Sequence, residues 1–244
     1  MLAVRCEHHG RGTMADERIR TYVRGLDEQL QGGIPSGHVV LLAGKPGTMK
    51  SSLSFHMLFQ NARLDGRGGV YVTLEQSRES LLANMAGLGM DVAGLEKKLS
   101  VLDLSLIRKK LKQLSNKSWI EVFKMYIDNL DKTVDIGLLV IDSLPVLEVM
   151  GKFDDPREEL FRLFEWLREL GITSLLITEM EQDSDKFCQY GEDFLSDGII
   201  HLDLQREERN VDLYLSVVKM RKTAHARGYF PLIYDEGGFE LVVH

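Results

Sequence analysis

The sequence predicts an α/β fold, a mostly parallel central sheet flanked by helices with antiparallel strands added at the C-terminal end. Three observations predict it. Short apolar runs at residues 39–43, 69–74, 138–141 and 173–178 have the length and composition of strands buried on both faces. Helical patterns separate most of them, the alternation of a parallel α/β sheet. From Gly198 onward the character changes: Val211, Leu213, Leu215 and Val217 alternate with Asp212, Tyr214 and Ser216, as antiparallel edge strands require.

Residues 1–18 are polar and aperiodic and are expected to form a disordered tail, with Met14 an alternative natural start. Cys6, His8 and His9 lack a second ligand pair at metal-binding spacing, so the tail is not taken as a metal site. No internal repeat or low-complexity linker interrupts residues 19–244, which are expected to be one domain. Residues 25–37, with Gly32, Gly33 and Pro35, form a loop into the first buried strand. A helix follows over 50–64, its apolar faces supplied by Leu53, Phe55, Met57 and Leu58. Gly66, Gly68 and Gly69 mark the turn into the second strand. Ser77 caps the next helix, with Glu79 in the first turn against the helix dipole. Residues 101–104 make a third strand, and 108–131 a helix carrying Lys109, Lys110 and Lys112, either a solvated face or a contact with nucleic acid or a partner. The run 136–141, broken by Gly137, ends at Asp142. Asp155-Pro156-Arg157-Glu158 is a helix start, with a cap, a proline at the first position and an acid after it. Leu160, Phe161, Leu163, Phe164 and Leu167 line that helix, and Gly171 stops it.

Composition narrows the function classes. With 44% hydrophobic and 27% charged residues the chain is ordinary for a globular protein. No apolar run reaches membrane-spanning length and no signal-peptide core is visible, so no membrane insertion is expected. Cys6 and Cys188 are too few for a disulfide framework, which fits a reducing, cytoplasmic setting. A formal charge of −7 argues against a generally basic nucleic-acid surface.

The chemistry concentrates after the first buried strand. Gly44, Lys45, Pro46, Gly47, Thr48, Met49, Lys50, Ser51 and Ser52 follow the phosphate-binding pattern G-x-x-x-x-G-K-[ST], with Met49 where the second motif glycine belongs. Backbone N–H groups of such a loop and the helix behind it make a concave anion site. Lys50 is placed for the β/γ-phosphates and Ser51 for Mg²⁺. Met49 is tolerated if its φ is negative. If φ is positive, a non-glycine residue carries a penalty on the order of 1 kcal/mol. Three more polar residues end strands, where open α/β sheets place their ligands. Asp142 is a candidate Mg²⁺ carboxylate, Glu75 a candidate base for attacking water, and Thr178 a candidate γ-phosphate contact.

The segment Gly25-Leu26-Asp27-Glu28-Gln29-Leu30-Gln31-Gly32-Gly33-Ile34-Pro35-Ser36-Gly37, followed by the phosphate loop, resembles the opening of KaiC-type ATPases, of the superfamily that includes RecA and RadA. The similarity continues through Glu75, through Ile141-Asp142-Ser143-Leu144 and Leu167-Arg168-Glu169-Leu170-Gly171-Ile172-Thr173-Ser174, and into Val218-Lys219-Met220-Arg221-Lys222-Thr223-Ala224-His225. It spans residues 22–244, one KaiC repeat, and with that single repeat the chain resembles the short KaiC-like proteins of archaea. The resemblance implies a RecA-like P-loop fold, a hexameric ring with ATP and Mg²⁺ between subunits, and Lys219 and Arg221 reaching a neighbour's γ-phosphate. The chain departs from the family at Met49, at Gln76 where clock members carry a second glutamate, and at Asp193-Phe194 where their phosphoacceptor pair falls. Self-phosphorylation there is not implied.

Three functions compete. The first is a slow Mg²⁺-dependent ATPase coupling nucleotide state to a protein partner of unknown identity. The second is a non-hydrolysing, ATP-dependent scaffold resembling archaellum accessory proteins. The third, a recombinase-like DNA-binding ATPase, ranks last: Lys186 in the segment 182–192 lies among Asp183, Asp185, Glu192 and Asp193, which repel phosphate.

Overall fold

The computed structural model describes residues 17–104, 119–151, 153–181, 184–207 and 210–243. Nine strands form one sheet. Six are parallel: β3 (Val39–Gly44), β4 (Gly68–Thr73), β5 (Leu99–Asp103), β6 (Ile136–Asp142), β7 (Thr173–Glu179) and β8 (Gly198–Glu207). Three antiparallel strands, β9 (Asn210–Met220), β10 (Phe230–Asp235) and β11 (Gly238–Leu241), extend one edge, giving the order β11-β10-β9-β8-β3-β7-β6-β4-β5. The expected mixed sheet is therefore present. Strand β3 is central, with β7 between it and β6.

The period-two alternation of each central strand divides its side chains between two cores. Val40 and Leu42 of β3 join Leu138 and Val140 of β6 in one. That layer is covered by α2 (Lys50–Leu64) and α3 (Arg78–Gly87), and by Phe239 and Leu241 of β11. Val39 and Leu41 point the other way, with Leu139 and Ile141, under α4 (Trp119–Val134), α5 (Leu144–Gly151) and α6 (Pro156–Glu169). Leu160, Leu163, Phe164 and Leu167 of α6 are all fully buried, each stabilising by about 2 kcal/mol. The expected caps are present: the Ser77 hydroxyl accepts from the Ser80 amide, and the Asp155 carboxylate from the amides of Arg157 and Glu158.

Some boundaries differ from expectation. Arg18, assigned to the tail, instead begins the two-residue β1 (Arg18–Ile19), paired with β2 (Ile34–Pro35). Its guanidinium donates to the carbonyls of Leu30 and Gly33 and to the Thr223 hydroxyl. These partners are far apart in sequence, so no local pattern could announce them. The loop at 25–37 holds a single turn of helix, α1 (Leu26–Gln29). The helix expected over 108–131 is described only from Trp119, and Lys109, Lys110 and Lys112 lie outside the described residues, as do Met14 and the tail residues 1–16.

Candidate functional site

Four parallel strands, β3, β7, β6 and β4, end at one edge of the sheet and bring the candidate residues together there. β3 leaves through Gly44, where a Cβ would lie 2.5 Å from the Leu202 carbonyl oxygen and 2.7 Å from Thr48 Oγ1. Only glycine fits. Thr48 closes the turn by donating its hydroxyl to the Lys45 carbonyl at 2.7 Å, and Gly47 turns with φ 86°. The first helical bond of α2 runs from the Leu53 amide to the Met49 carbonyl. The amides of Lys50, Ser51 and Ser52 thus have no carbonyl behind them in the helix, and no acidic residue stands in this turn. Exposed amides at a helix N-terminus are an anion site.

Met49 takes the strained alternative, with φ 61° and ψ 23°. The left-handed conformation costs about 1 kcal/mol for a non-glycine residue. Its side chain is half-buried and packs against the core under α2, an apolar contact that offsets part of that cost.

Lys50 is buried, and its ammonium donates to the carbonyls of Gly44 at 2.8 Å and Lys45 at 2.9 Å. Burial lowers its pKa, against the opposing pull of Glu179, Asp142 and Glu75, three carboxylates at the ends of β7, β6 and beyond β4. Asp142 pairs in register with Thr73, and its carbonyl accepts from the Leu74 amide at 2.8 Å. Burial raises the pKa of its carboxyl, while hydrogen bonds from Tyr71 and Ser51 favour the charged form. A cis peptide links it to Ser143, whose hydroxyl donates to Glu75. Glu75 itself is exposed. Ser51 and Asp142 therefore meet as a hydroxyl and a carboxylate, hard oxygen donors that fit Mg²⁺. Among the described residues no group of three His, Cys, Asp or Glu side chains forms a fuller cage. Mg²⁺ at such a site takes its remaining ligands from phosphates and water.

Not every expected residue converges here. Thr178 is beside the loop, paired in register with Ala43, but its buried hydroxyl donates to the Phe187 carbonyl at 3.1 Å. The next residue, Glu179, pairs with Gly44 and faces the loop instead. Lys219 and Arg221 lie at the other end of the sheet. Lys219 donates to the carbonyls of Asp193 and Ser196, and Arg221 to Asp197 at 2.8 Å. Asp197 in turn meets Val39, so Arg221 sits level with the start of β3, about 17 Å along the strand from Gly44.

Sequence reasoning missed three participants. Tyr71 and Ser143 are tied to the carboxylates through strand pairing, whose only sequence trace is their place near strand ends. The third is a buried carboxyl pair, Glu148 of α5 with Glu192 at the start of α7 (Glu192–Leu195). Burial and the neighbouring Glu192 push Glu148 up to about 9. The pair borders a cleft of about 940 Å³ that begins at Lys45 and Pro46 and passes Glu179, Lys186 and Arg206.

Comparison with known proteins agrees with this arrangement. Residues 19–243 match the family model "ATPase: KaiC". A UPF0273 protein of Methanopyrus kandleri is 33% identical over 92% of this chain and 92% of its own length. One from Aeropyrum pernix is 32% identical over 91% of this chain and 92% of its own. The circadian clock oscillator protein KaiC of Picosynechococcus is 30% identical over 92% of this chain, which spans only 44% of that longer protein. The crystal structure of a KaiC-like protein from the hyperthermophile Pyrococcus horikoshii superposes with a TM-score of 0.80 at 30% identity, covering 93% of this chain and 99% of that one. Its agreement with the mostly parallel sheet and antiparallel extension gives this chain the RecA-like fold. No helix among the described residues is long and apolar enough to cross a membrane. The chain belongs to the KaiC family of ATPases.

Proposed function

We propose that this protein binds ATP with Mg²⁺ at the Gly44–Ser52 loop and hydrolyses it slowly, coupling nucleotide state to a partner. The observation that carries this is the convergence of an amide-lined turn, Lys50, the Ser51–Asp142 pair and Glu75 at one sheet edge. In this scheme the loop and α2 amides hold the phosphate oxygens, and the Lys50 ammonium leaves the Gly44 and Lys45 carbonyls for the β/γ-phosphates. Ser51 and Asp142 hold Mg²⁺, which when bound neutralises phosphate charge. Glu75 accepts the proton of the attacking water, a role worth 10²–10⁴-fold in rate.

Lys219 and Arg221 point away from their own chain's loop, which supports a ring, hexameric by family resemblance, in which they meet the neighbour's γ-phosphate. A charge on a transferred phosphoryl group is stabilised in this way by an arginine finger. The low cysteine count fits a cytoplasmic setting. The acidic balance disfavours the DNA-binding alternative.

Phosphate release and melting temperature test the proposal together. ATP with Mg²⁺ raises the melting temperature of wild type but not of Lys50→Ala, and Glu75→Gln lowers turnover by about 10² or more. An unchanged shift in Lys50→Ala contradicts nucleotide binding at this loop. The strained Met49 and the Ser143–Glu75 bond favour a second reading, a non-hydrolysing ATP-dependent scaffold. Equal, near-zero release by wild type and Glu75→Gln leaves only that one.

A further inference from the structure

Tyr71 lies two residues before the end of β4, fully buried, with its ring tilted against Phe55 at 5.5 Å between centroids. A buried phenol needs a partner for its O–H. Here the partner is Asp142: the phenol donates to Oδ2 at 2.5 Å. The geometry follows from the sheet. Residues 138 and 140 of β6 and residue 71 of β4 face α2, and Tyr71 pairs with Val140, two positions before the Thr73–Asp142 pairing and so on the same face as Asp142. Ser51 and Ser54 of α2 lie beside the phenol as well.

We propose that Tyr71 is a positioning residue for the divalent cation: its O–H pins one oxygen of Asp142 and leaves the other to the metal beside Ser51. The proposal rests on the assignment of Asp142 and Ser51 to Mg²⁺. The physical need is plain. The terminal torsion of an aspartate is broad, so an unrestrained carboxylate spreads over many orientations. Hydrogen-bond partners that orient a metal ligand typically contribute 10–100-fold to metal affinity. Ser143 does the corresponding work on Glu75, so the two carboxylates are held by separate donors.

The test titrates Mg²⁺ into wild type, Tyr71→Phe, Asp142→Asn and the double variant at fixed ADP, reading bound nucleotide, and repeats ADP binding in EDTA. Tyr71→Phe keeps the ring packed on Phe55. The expected result is a half-saturating Mg²⁺ concentration raised about 10-fold in Tyr71→Phe, with ADP affinity in EDTA unchanged. Adding Tyr71→Phe to Asp142→Asn should change the Mg²⁺ dependence no further, since the carboxylate that the phenol orients toward the metal is already gone. An unchanged Mg²⁺ midpoint in Tyr71→Phe overturns the proposal, as does an equal loss in EDTA or full additivity with Asp142→Asn, the marks of a merely structural role. If Asp142→Asn itself leaves the Mg²⁺ dependence intact, the metal assignment fails and the proposal with it. If Asp142→Asn removes that dependence while Tyr71→Phe matches wild type, only the positioning role fails.

Discussion

Two aspartates at opposite ends of the same sheet show how burial is put to different uses. Asp142 at the end of β6 is 6% exposed, and Asp197 just before β8 is 7% exposed. Burial pushes both carboxyls up, since it disfavours charge. At Asp142 burial wins: hydrogen bonds from Tyr71 and Ser51 and the charge of Lys50 only reduce the effect. At Asp197 burial loses to the Val39 amide and to Arg168 and Arg221, and the carboxyl is held below its ordinary value. Asp197 is thus fully satisfied by the fold, joining β3, α6 and β9. Asp142 is left wanting positive charge, the condition of a site that awaits a cation. The same residue type serves as a structural tie at one end and, under the proposed function, as a metal ligand at the other.

This contrast can be broken by substitution. The largest effect is expected from Asp197→Asn. It deprives two arginines of their shared charge, and about 2 kcal/mol of stability is lost once the partial exposure of Arg168 and Arg221 is discounted. Urea denaturation measures it, and a loss below about 0.5 kcal/mol would mean the cluster is ornamental. Asp142→Asn should move the other way by about 1 kcal/mol without nucleotide, because it removes a buried, only partly compensated charge while Tyr71 can still donate to the amide oxygen. A destabilised Asp142→Asn would show that the site is already balanced.

The pH dependence sharpens the same comparison. The folded pKa of Asp197 lies below its unfolded value of about 3.9. Its contribution is therefore present above that value and is lost as pH falls toward the folded pKa. Denaturation from about pH 5 down to about pH 2 should show Asp197→Asn with a shallower acid loss than wild type. Parallel curves would deny the carboxylate its role.

The smallest effect separates strain from packing at Met49. Met49→Ala keeps the positive φ but loses the apolar contact, an expected cost of about 1 kcal/mol. Met49→Gly removes strain and contact together, two opposing terms of about 1 kcal/mol, and should be nearly neutral. Equal losses in the two variants would show that the backbone conformation costs nothing.

Where signals were local, the sequence was legible. The Gly44–Ser52 loop, the buried runs, the Ser77 and Asp155 caps and the alternating C-terminal strands are patterns of a few residues, and each was found in place. Thr178 was positioned correctly along β7 but its hydroxyl was engaged elsewhere, because the Phe187 carbonyl comes from a loop that no periodicity places. Arg18 was misjudged as tail for the same reason: its partners at Leu30, Gly33 and Thr223 are joined to it only through space.

By itself the sequence determined that a strand ends in a Gly/Pro/Thr turn opening a helix and that acids end the neighbouring strands, since turn chemistry and hydrophobic period act over a few bonds. Only the tertiary structure decided which hydroxyl answers which carboxylate, that Met49 turns left-handed, and that Lys219 and Arg221 face away from their own loop. Those outcomes depend on strand order and register, which bring together groups such as Tyr71 and Asp142 that the chain keeps 71 residues apart.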